Sequence, residues 1–261
     1  MGMQDEFTIV DLFAGPGGLA EGFSQVTASD GSKPFKIALS VEMEKAAHAT
    51  LLLRTFLRQF PDGFPPEYYH FLNTGSSEPD WKLLYPVEWS RAEIEALRLT
   101  LGEAETGRVL GERLRELRRN HGDNTLVIGG PPCQAYSLVG RARNRGIKGY
   151  TPEGDHRHHL YRDYIRILAE LRPAAFVMEN VKGMLSSAVA GGKIFEHILA
   201  DLRTASSEGY VLVALTPRHG SAGHNELRPS DFIVRAERHG LPQARHRVMI
   251  IGLRSDLFDP T

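Results

Sequence analysis

The chain has 261 residues, of which 41% are hydrophobic and 24% charged, as is ordinary for a globular α/β protein. Its formal net charge is −1, so a surface for nucleic acid would have to be local rather than spread over the molecule. The single cysteine excludes an internal disulfide and disfavours a cysteine-rich zinc site. The sequence shows no apolar run long enough to cross a bilayer and no basic signal peptide, so we expect a reducing cytoplasm and no metal or membrane partner.

Short apolar runs alternate with helical patterns along the chain. Residues 7–13 predict a buried strand that ends at a glycine-rich turn, and residues 36–42 predict a second strand followed by a helix up to Leu57. Further strands are predicted over 125–130, 174–181, 210–216 and 248–253, and helices over 160–172 and 193–205. This alternation predicts an α/β fold built on a doubly wound, mostly parallel sheet.

The stretch between Leu57 and the strand near residue 125 departs from this alternation. Residues 58–89 are rich in proline, glycine and aromatic side chains, which predicts an irregular segment. The residues that follow have a helical composition, with breaks expected near Gly102 and Gly107. We therefore expect a helical and irregular insertion over residues 58–124.

The glycine-rich turn after the first strand has the pattern of a cofactor site. Gly15, Gly17 and Gly18 lie in "AGPGGLA", which satisfies the loose G-x-G-x-x-G/A pattern, and Glu42 ends the next strand at the distance typical of a ribose-binding acid. Free N–H groups at the start of a helix can bind a ligand there. The turn alone fits a nicotinamide or flavin dinucleotide, S-adenosylmethionine, or a turn that binds nothing.

The lone cysteine, Cys133, follows a predicted strand and two prolines, which fix the backbone ahead of it. Ligands bind at the carboxyl ends of parallel strands, and this turn is such an end. The next residues carry four cations and no acid up to Thr151, and positive charge favours the nucleophilic thiolate. Taken locally, Cys133 is equally well explained as a small buried side chain.

Two other segments bring charged side chains to strand ends. Glu179 ends the predicted strand over 174–181, at the same sheet edge as Cys133 if the two strands are parallel, where a carboxylate can act as a general acid. Arg245 and Arg247 precede the last strand and, two residues apart, point the same way on an extended chain. The alternative for these residues is a solvated charged rim.

Taken together, these segments resemble the DNA (cytosine-5) methyltransferase family. The matches DLFAGPGG, an acid after the second strand, GGPPCQAYS, D-x-R-x-x-L, MENV and Q-x-R-x-R occur in the order of that family and span Asp11 to Arg247. The resemblance implies a Rossmann-like S-adenosylmethionine-dependent methyltransferase fold in a single catalytic domain over residues 1–261.

The resemblance also implies roles for individual residues. Cys133 would attack C6 of cytosine, Glu179 would hold and protonate N3, and Arg247 would bind O2. Arg245 would support the catalytic loop. S-adenosylmethionine would be bound by Phe13, Ala14, Gly15, Pro16, Gly17, Gly18, Glu42, Met43, Pro132 and Leu160. The DNA backbone would be contacted by Gln134, Ser137, Arg141, Arg143 and Arg157.

The implied activity is methyl transfer from S-adenosylmethionine to C5 of a flipped-out cytosine in duplex DNA, with S-adenosylhomocysteine as product. The setting would be restriction–modification or phage defence in a bacterial cytoplasm, in association with the nucleoid. Three alternatives stay open: a tRNA cytosine-5 methyltransferase, a catalytically silent nucleic-acid-binding subunit, and a dinucleotide-dependent oxidoreductase.

The chain departs from the family pattern in two places. The third cofactor motif, an acid after the third strand, cannot be placed. The pattern also ends before a target-recognition domain and two closing motifs, so we expect a fragment or one subunit of a split enzyme, with weak activity alone.

Overall fold

The computed structural model describes residues 6–132, 160–186, 188–189, 192–216 and 227–258. The chain divides into two compact units that meet in sequence at Thr100 and Leu101. Among the described residues, no helix combines the length and the hydropathy that a membrane crossing requires.

The first unit is a short parallel sheet with its connecting helices. Its elements are β1 (Phe7–Leu12), α1 (Gly18–Gln25), β2 (Phe35–Glu42), α2 (Lys45–Leu57), α3 (Pro66–Thr74), α4 (Trp81–Leu84), α5 (Pro86–Glu95) and β3 (Ala96–Arg98). The strand order is β3-β2-β1, and both pairings are parallel. The apolar run of β1 is buried almost throughout, as expected for a strand covered on both faces.

Helices pack around an aromatic cluster in the same unit. Phe56, Leu57, Trp81 and Ala92 are buried together, which joins α2, α4 and α5. The segment expected to be irregular over 58–89 therefore contains helices, because its aromatic side chains give short helices a core to pack on.

The second unit is a mixed sheet. Its elements are α6 (Ala104–His121), β4 (Thr125–Gly129), α7 (Leu160–Leu171), β5 (Ala175–Val181), β6 (Ala188–Val189), β7 (Gly192–Lys193), α8 (Ile194–Arg203), β8 (Tyr210–Val213), β9 (Ile233–Arg235) and β10 (His246–Arg254), with 3₁₀ helices over Lys182–Ser186, Pro229–Phe232 and Ala236–His239. The order is β4-β5-β10-β8, with β9 also paired to β10. β4 and β5 are parallel, whereas β10 is antiparallel to β5, β8 and β9.

The pairing of β5 with β4 and with β10 determines which strand ends lie next to each other. Gly129 of β4 lies beside Met178, and Arg247 of β10 lies opposite Val181. The carboxyl ends of β4 and β5 are thus adjacent, and the antiparallel β10 begins at that same edge.

The helix α6 corrects one prediction. It runs from Ala104 to His121 without a break at Gly107, and it buries Leu110, Leu114 and Leu117 on one face. A Cβ atom built on Gly107 would make only ordinary van der Waals contact with the guanidinium of Arg166 in α7, so no turn is required at this position. The break expected near Gly102 is real, since α6 begins beyond it.

Candidate active site

The turn from β1 to α1 is built from left-handed backbone. Phe13 has φ 56°, Gly15 φ 56° and Gly17 φ 86°. Glycine adopts this conformation without strain, whereas a side chain at Phe13 adopts it at a cost of about 1–2 kcal/mol. Strain of this kind is concentrated at functional sites. The turn places the first amide groups of α1 at the carboxyl end of β1.

Glu42 at the end of β2 is bound to this turn. Its Oε2 accepts a hydrogen bond from the Gly15 amide at 2.8 Å, and its Oε1 accepts one from the Glu44 amide at 2.7 Å. The Ala14 amide donates to the Val41 carbonyl at 3.0 Å. Because a carboxylate can accept about four hydrogen bonds, Glu42 keeps capacity for a ligand hydroxyl.

One side of the turn is open. A Cβ atom built on Gly15 or on Gly18 meets no atom within 4 Å, whereas one on Gly17 meets the Leu51 side chain at 2.9 Å. Met43, which follows Glu42, is 53% exposed. The open glycines, the half-buried Glu42 and the exposed Met43 therefore fit a cofactor that bears a ribose and an adenine.

A buried carboxyl group lies beneath the turn. Asp11 is fully buried, and neither of its carboxyl oxygens has a hydrogen-bond partner of good geometry among the described residues. Burial raises the pKa of Asp11 to about 8, against the opposing attraction of the Arg58 guanidinium. Asp11 is thus protonated at neutral pH, and it adds no negative charge below the turn.

The Arg58 guanidinium ties three elements of the first unit together. It contacts Glu95 of α5 and Glu21 of α1, and it donates to the Thr55 hydroxyl of α2 at 2.9 Å. Burial nevertheless raises the pKa of Glu95. The start of α1 is therefore held by a charged network as well as by the turn.

The second unit brings a carboxylate and a guanidinium together. Arg247 Nε lies 2.7 Å from Glu179 Oε1, and the two side chains are 26% and 25% exposed. Glu179 pairs with Met249, two residues from Arg247, so the charges are diagonal neighbours on one face of the β5–β10 pair. Arg247 also donates to the His246 carbonyl at 2.9 Å. The Glu179 carboxylate and the Arg247 guanidinium therefore present a hydrogen-bond acceptor and hydrogen-bond donors side by side.

The residue after β4 makes room for this carboxylate. A Cβ atom on Gly130 would lie 3.2 Å from Glu179 Oε2 and 3.6 Å from the Glu179 carbonyl oxygen. The glycine therefore lets the Glu179 side chain approach the backbone of the turn that continues to Pro131 and Pro132.

Asn180 connects the two strand ends directly. Its Nδ2 donates to the Pro131 carbonyl at 2.9 Å, and its Oδ1 accepts from the Val181 amide at 2.9 Å. The side chain is buried, with 4% exposed. Both polar ends of the amide are thus used within the strand ends.

The predicted residues fall into three groups. Those of the first unit are together at one turn, namely Phe13, Ala14, Gly15, Pro16, Gly17, Gly18, Glu42 and Met43. In the second unit Glu179 and Arg247 are in contact, while Arg245 is exposed. Pro132 is half-buried beyond β4, and Leu160 begins α7. Six predicted residues lie outside the described residues: Cys133, Gln134, Ser137, Arg141, Arg143 and Arg157.

Sequence reasoning missed the supporting residues. Gly130, Asn180 and Asp11 were each within quoted motifs but had no assigned role. The doubled glycine before the two prolines was the available signal for Gly130, because two glycines in a row at a strand end indicate a close approach. The third cofactor motif stays unplaced: β3 is followed by Leu99 and Thr100, neither of which is acidic. Within the described ranges, no cluster of His, Cys, Asp and Glu could hold a metal ion.

Comparison with known proteins identifies the family. The family model for C-5 cytosine-specific DNA methylase matches residues 113–259, more than half of the chain. The chain belongs to the C-5 cytosine-specific DNA methylase family. The predicted membership is thereby confirmed.

Relatives of this methylase family extend the similarity to the first unit. The type II methyltransferase M.Bpa9945I of Bacillus paralicheniformis is 32% identical over 95% of this chain and 54% of its own length. The DNA (cytosine-5-)-methyltransferase M.ApeKI of Aeropyrum pernix is 37% identical over 52% of this chain and 28% of its own. The chain thus spans about half the length of the first of these relatives.

A solved structure shares the fold of this C-5 cytosine methylase family member. It is described as a DNA modification methyltransferase encoded within an Escherichia coli prophage, and it matches with a TM-score of 0.54 at 20% identity over 98% of this chain and 49% of its own. The predicted α/β class with a mostly parallel sheet is confirmed, with β10 as the antiparallel exception.

Proposed function

We propose that this chain carries the catalytic residues of an enzyme that transfers a methyl group from S-adenosylmethionine to C5 of cytosine in duplex DNA. The observation that carries the proposal is the Glu179–Arg247 pair at 2.7 Å, at the strand end beside the turn that leads to Cys133. Membership of the methylase family and the names of the relatives support the same activity.

The cofactor would be held chiefly by the glycine turn. Glu42 would bind the ribose hydroxyls with its spare acceptor capacity, and Met43 would lie against the adenine. The remaining contacts would come from Phe13, Ala14, Gly15, Pro16, Gly17, Gly18, Pro132 and Leu160. S-adenosylmethionine, when bound, supplies a methyl group made electrophilic by its positive sulfur.

Three side chains of this chain would act on the base. The Cys133 thiolate forms a bond to C6, the C5–C6 double bond opens, and charge moves onto N3 and O2. Glu179 in its protonated form would donate to N3, and Arg247 would donate to O2. C5 thereby becomes nucleophilic and accepts the methyl group. The C5 proton then leaves to a base, and elimination restores the Cys133 thiolate.

Polar and cationic side chains that follow Cys133 in the sequence would bind the nucleic acid. C5 of cytosine is inaccessible in a stacked duplex, so the base must be flipped out. Gln134, Ser137, Arg141, Arg143 and Arg157 would hold the backbone phosphates, and Arg245 would support the loop that carries Cys133. Because relatives are named type II methyltransferases, we infer a role in restriction–modification, in the bacterial nucleoid.

Covalent trapping tests this proposal. A randomised DNA duplex containing 5-fluorocytosine is incubated with S-adenosylmethionine and the chain, alone and with the C-terminal half of M.Bpa9945I added. A base removes the hydrogen at C5 as a proton but cannot remove fluorine in this way. Elimination of the thiol is therefore blocked, and the covalent adduct survives denaturing electrophoresis. We expect an adduct that Cys133→Ser abolishes.

Two controls separate the alternatives. A tRNA containing 5-fluorocytosine replaces the duplex in a parallel reaction, and NAD replaces S-adenosylmethionine in thermal-shift assays. An adduct with tRNA alone would assign the activity to RNA. No adduct under any condition, or stabilisation by NAD and not by S-adenosylmethionine, would refute the proposed methyl transfer.

A further inference from the structure

A buried polar pair lies on β1 and β2 below the glycine turn. Asp11 of β1 and Ser40 of β2 are register partners, and paired residues of neighbouring strands point to the same face of a sheet. Both side chains are fully buried. Among the described residues, neither the Asp11 carboxyl oxygens nor the Ser40 hydroxyl has a hydrogen-bond partner of good geometry. Because buried polar groups are nearly always bonded, this pair calls for an explanation other than stability.

The elements that surround Asp11 act on its charge in both directions. Burial is the largest influence and raises the pKa of Asp11 to about 8. The Arg58 guanidinium, immediately after α2, opposes this rise, whereas Glu95 of α5 and Glu42 of β2 add to it. The Ala20 amide of α1 favours the charged form. A modest change in the charge nearby therefore alters the ionised fraction of Asp11 near neutral pH.

Arg58 is shared among several acids and is not a counter-ion for Asp11 alone. Its guanidinium forms ion pairs with Glu95 and with Glu21 of α1, and it donates to the Thr55 hydroxyl at 2.9 Å. An ionised Asp11 would thus be stabilised by one further positive charge in this region.

The buried pair is close to the surface assigned to the cofactor. Asp11 precedes Phe13 by two residues, a distance of about 7 Å at most along an extended strand. On β2, Ser40 precedes Glu42 by two residues and shares its face, and Glu42 accepts the hydrogen bond from the Gly15 amide at 2.8 Å. A charge on a molecule bound at the turn therefore acts on Asp11 through buried protein, where electrostatic interactions are stronger than in water.

The substrate and product forms of the proposed cofactor differ in their charge. Both carry an ammonium and a carboxylate, and S-adenosylmethionine also carries a positive sulfonium that S-adenosylhomocysteine lacks. Apart from the methyl group the two molecules have the same shape. A protein group that responds to charge can therefore distinguish them, whereas a group that responds to shape distinguishes them poorly.

We propose that Asp11 is a charge-sensing residue beneath the cofactor turn, which releases its proton when S-adenosylmethionine binds and takes up a proton from water once the neutral S-adenosylhomocysteine is left. This inference rests on the proposed function, since it assumes that cofactor. The ionised Asp11 attracts the sulfonium and has no such attraction for the product. The preference for S-adenosylmethionine over S-adenosylhomocysteine should therefore increase as the pH rises and Asp11 ionises.

Calorimetry in two buffers of different ionisation enthalpy, Pipes and Tris, counts the protons exchanged when each ligand binds. The ligands are S-adenosylmethionine, S-adenosylhomocysteine and sinefungin, which carries an ammonium in place of the S-methyl group. The proteins are the wild type, Asp11→Asn and the control Asp62→Asn, whose carboxyl group is exposed. The α-amino group of each ligand titrates in the same pH range, so the decisive quantity is the difference between the wild type and Asp11→Asn.

For a fall of about one unit in the pKa of Asp11, the wild type should release about half a proton more with S-adenosylmethionine than with S-adenosylhomocysteine at pH 7.5. The ratio of the two affinities should rise about 6-fold between pH 6.5 and pH 8.5. Sinefungin should behave as S-adenosylmethionine does. Asp62→Asn should match the wild type, and Asp11→Asn should lose both effects.

The wild type also provides a measurement that needs no variant. The extra proton release should be greatest between pH 7 and pH 8 and should vanish at both pH 5.5 and pH 9.5, because Asp11 is then protonated or ionised in both complexes. This profile tests the inference even if Asp11→Asn does not fold.

Two results would overturn the role of Asp11: equal proton release with the two cofactor forms in the wild type, or a difference that persists in Asp11→Asn. If the covalent adduct forms but proton release is equal, the inference fails and the proposed function stands. If proton release differs but no adduct forms, Asp11 senses the cofactor charge and methyl transfer is refuted. Binding of neither cofactor form refutes both.

Discussion

The glycine turn of the first unit and the strand-end pair of the second are built in opposite ways. The turn uses backbone groups: left-handed residues present amides, and Glu42 is fixed by the amides of Gly15 and Glu44. The strand ends use charged side chains, with Glu179 and Arg247 brought together from antiparallel strands.

This difference determines which kind of substitution damages each site. A backbone site depends on φ angles and on open space beside glycines, so a single methyl group can damage it while every charge stays in place. A side-chain site depends on charge complementarity, so a neutral substitution can damage it while the fold is unchanged. The following substitutions separate the two cases.

The largest effect is expected at the strand ends. Arg247→Ala removes the guanidinium proposed to stabilise charge on O2 and leaves Glu179 without this partner. We expect single-turnover methyl transfer to fall about 10²- to 10³-fold, as when other electrostatic donors are removed from active sites. Cofactor affinity, measured by calorimetry, should not change.

Arg238→Ala is the matched control, because Arg238 is an exposed arginine of the 3₁₀ helix that precedes β10. Its removal should change the rate less than about 3-fold, since surface substitutions have small effects. Equal rates for the two variants would contradict the role of Arg247 in charge stabilisation.

A smaller effect is expected at the glycine turn, where a substitution should change cofactor affinity rather than the charge stabilisation tested at Arg247. Gly15→Ala puts a Cβ on a residue at φ 56° and into the open side of the turn. The strain is about 1–2 kcal/mol, and the methyl group takes space assigned to the cofactor. We expect the affinity for S-adenosylmethionine to fall about 10-fold or more.

Gly75→Ala separates strain from space. Gly75 has φ 64° at the end of α3, and its Cβ position also meets no atom within 4 Å. Gly75→Ala should lower the free energy of unfolding by an amount similar to that of Gly15→Ala and leave cofactor affinity unchanged. If both variants bind the cofactor equally well, the open side of Gly15 is not its binding surface.

The contrast between the two regions also explains what could be predicted from sequence. The turn after β1 is local: a buried strand, glycines and a helix start follow one another, so the pattern alone located it. Glu179 was placed correctly at the end of a strand parallel to β4. The contact of Glu179 with Arg247, by contrast, depends on the antiparallel register of β10, which no local pattern encodes.

The features that were not predicted depend on contacts between elements that are far apart in the sequence. Gly107 lies within α6, although glycine costs about 1 kcal/mol in a helix, because the helix buries Leu110, Leu114 and Leu117 against the rest of its unit. The bond from Asn180 to Pro131 joins segments far apart in sequence. In both cases a partner from another element determines the structure, and that partner is not visible in the local sequence.

The smallest effect on methyl transfer is expected beneath the turn, where a substitution should instead alter the stability of the protein and its pH dependence. Burial raises the pKa of Asp11 to about 8, so the folded state holds a proton that the unfolded chain releases above about pH 4. The stability contributed by this proton is fully present below pH 4 and is lost as the pH rises toward 8. Asp11→Asn keeps the shape of the protonated carboxyl and cannot ionise.

Thermal unfolding measured from pH 5 to pH 8 tests this expectation. The melting temperature of Asp11→Asn should exceed that of the wild type by an amount that grows with pH and reaches about 10 °C at pH 8, since each pKa unit of the shift corresponds to about 1.4 kcal/mol. Asp62→Asn, in the connection between α2 and α3, is the control and should give no such trend, because Asp62 is exposed. A constant difference between Asp11→Asn and the wild type across this range would mean that Asp11 does not titrate there, and that the turn rests on an ionised carboxylate balanced by Arg58 instead.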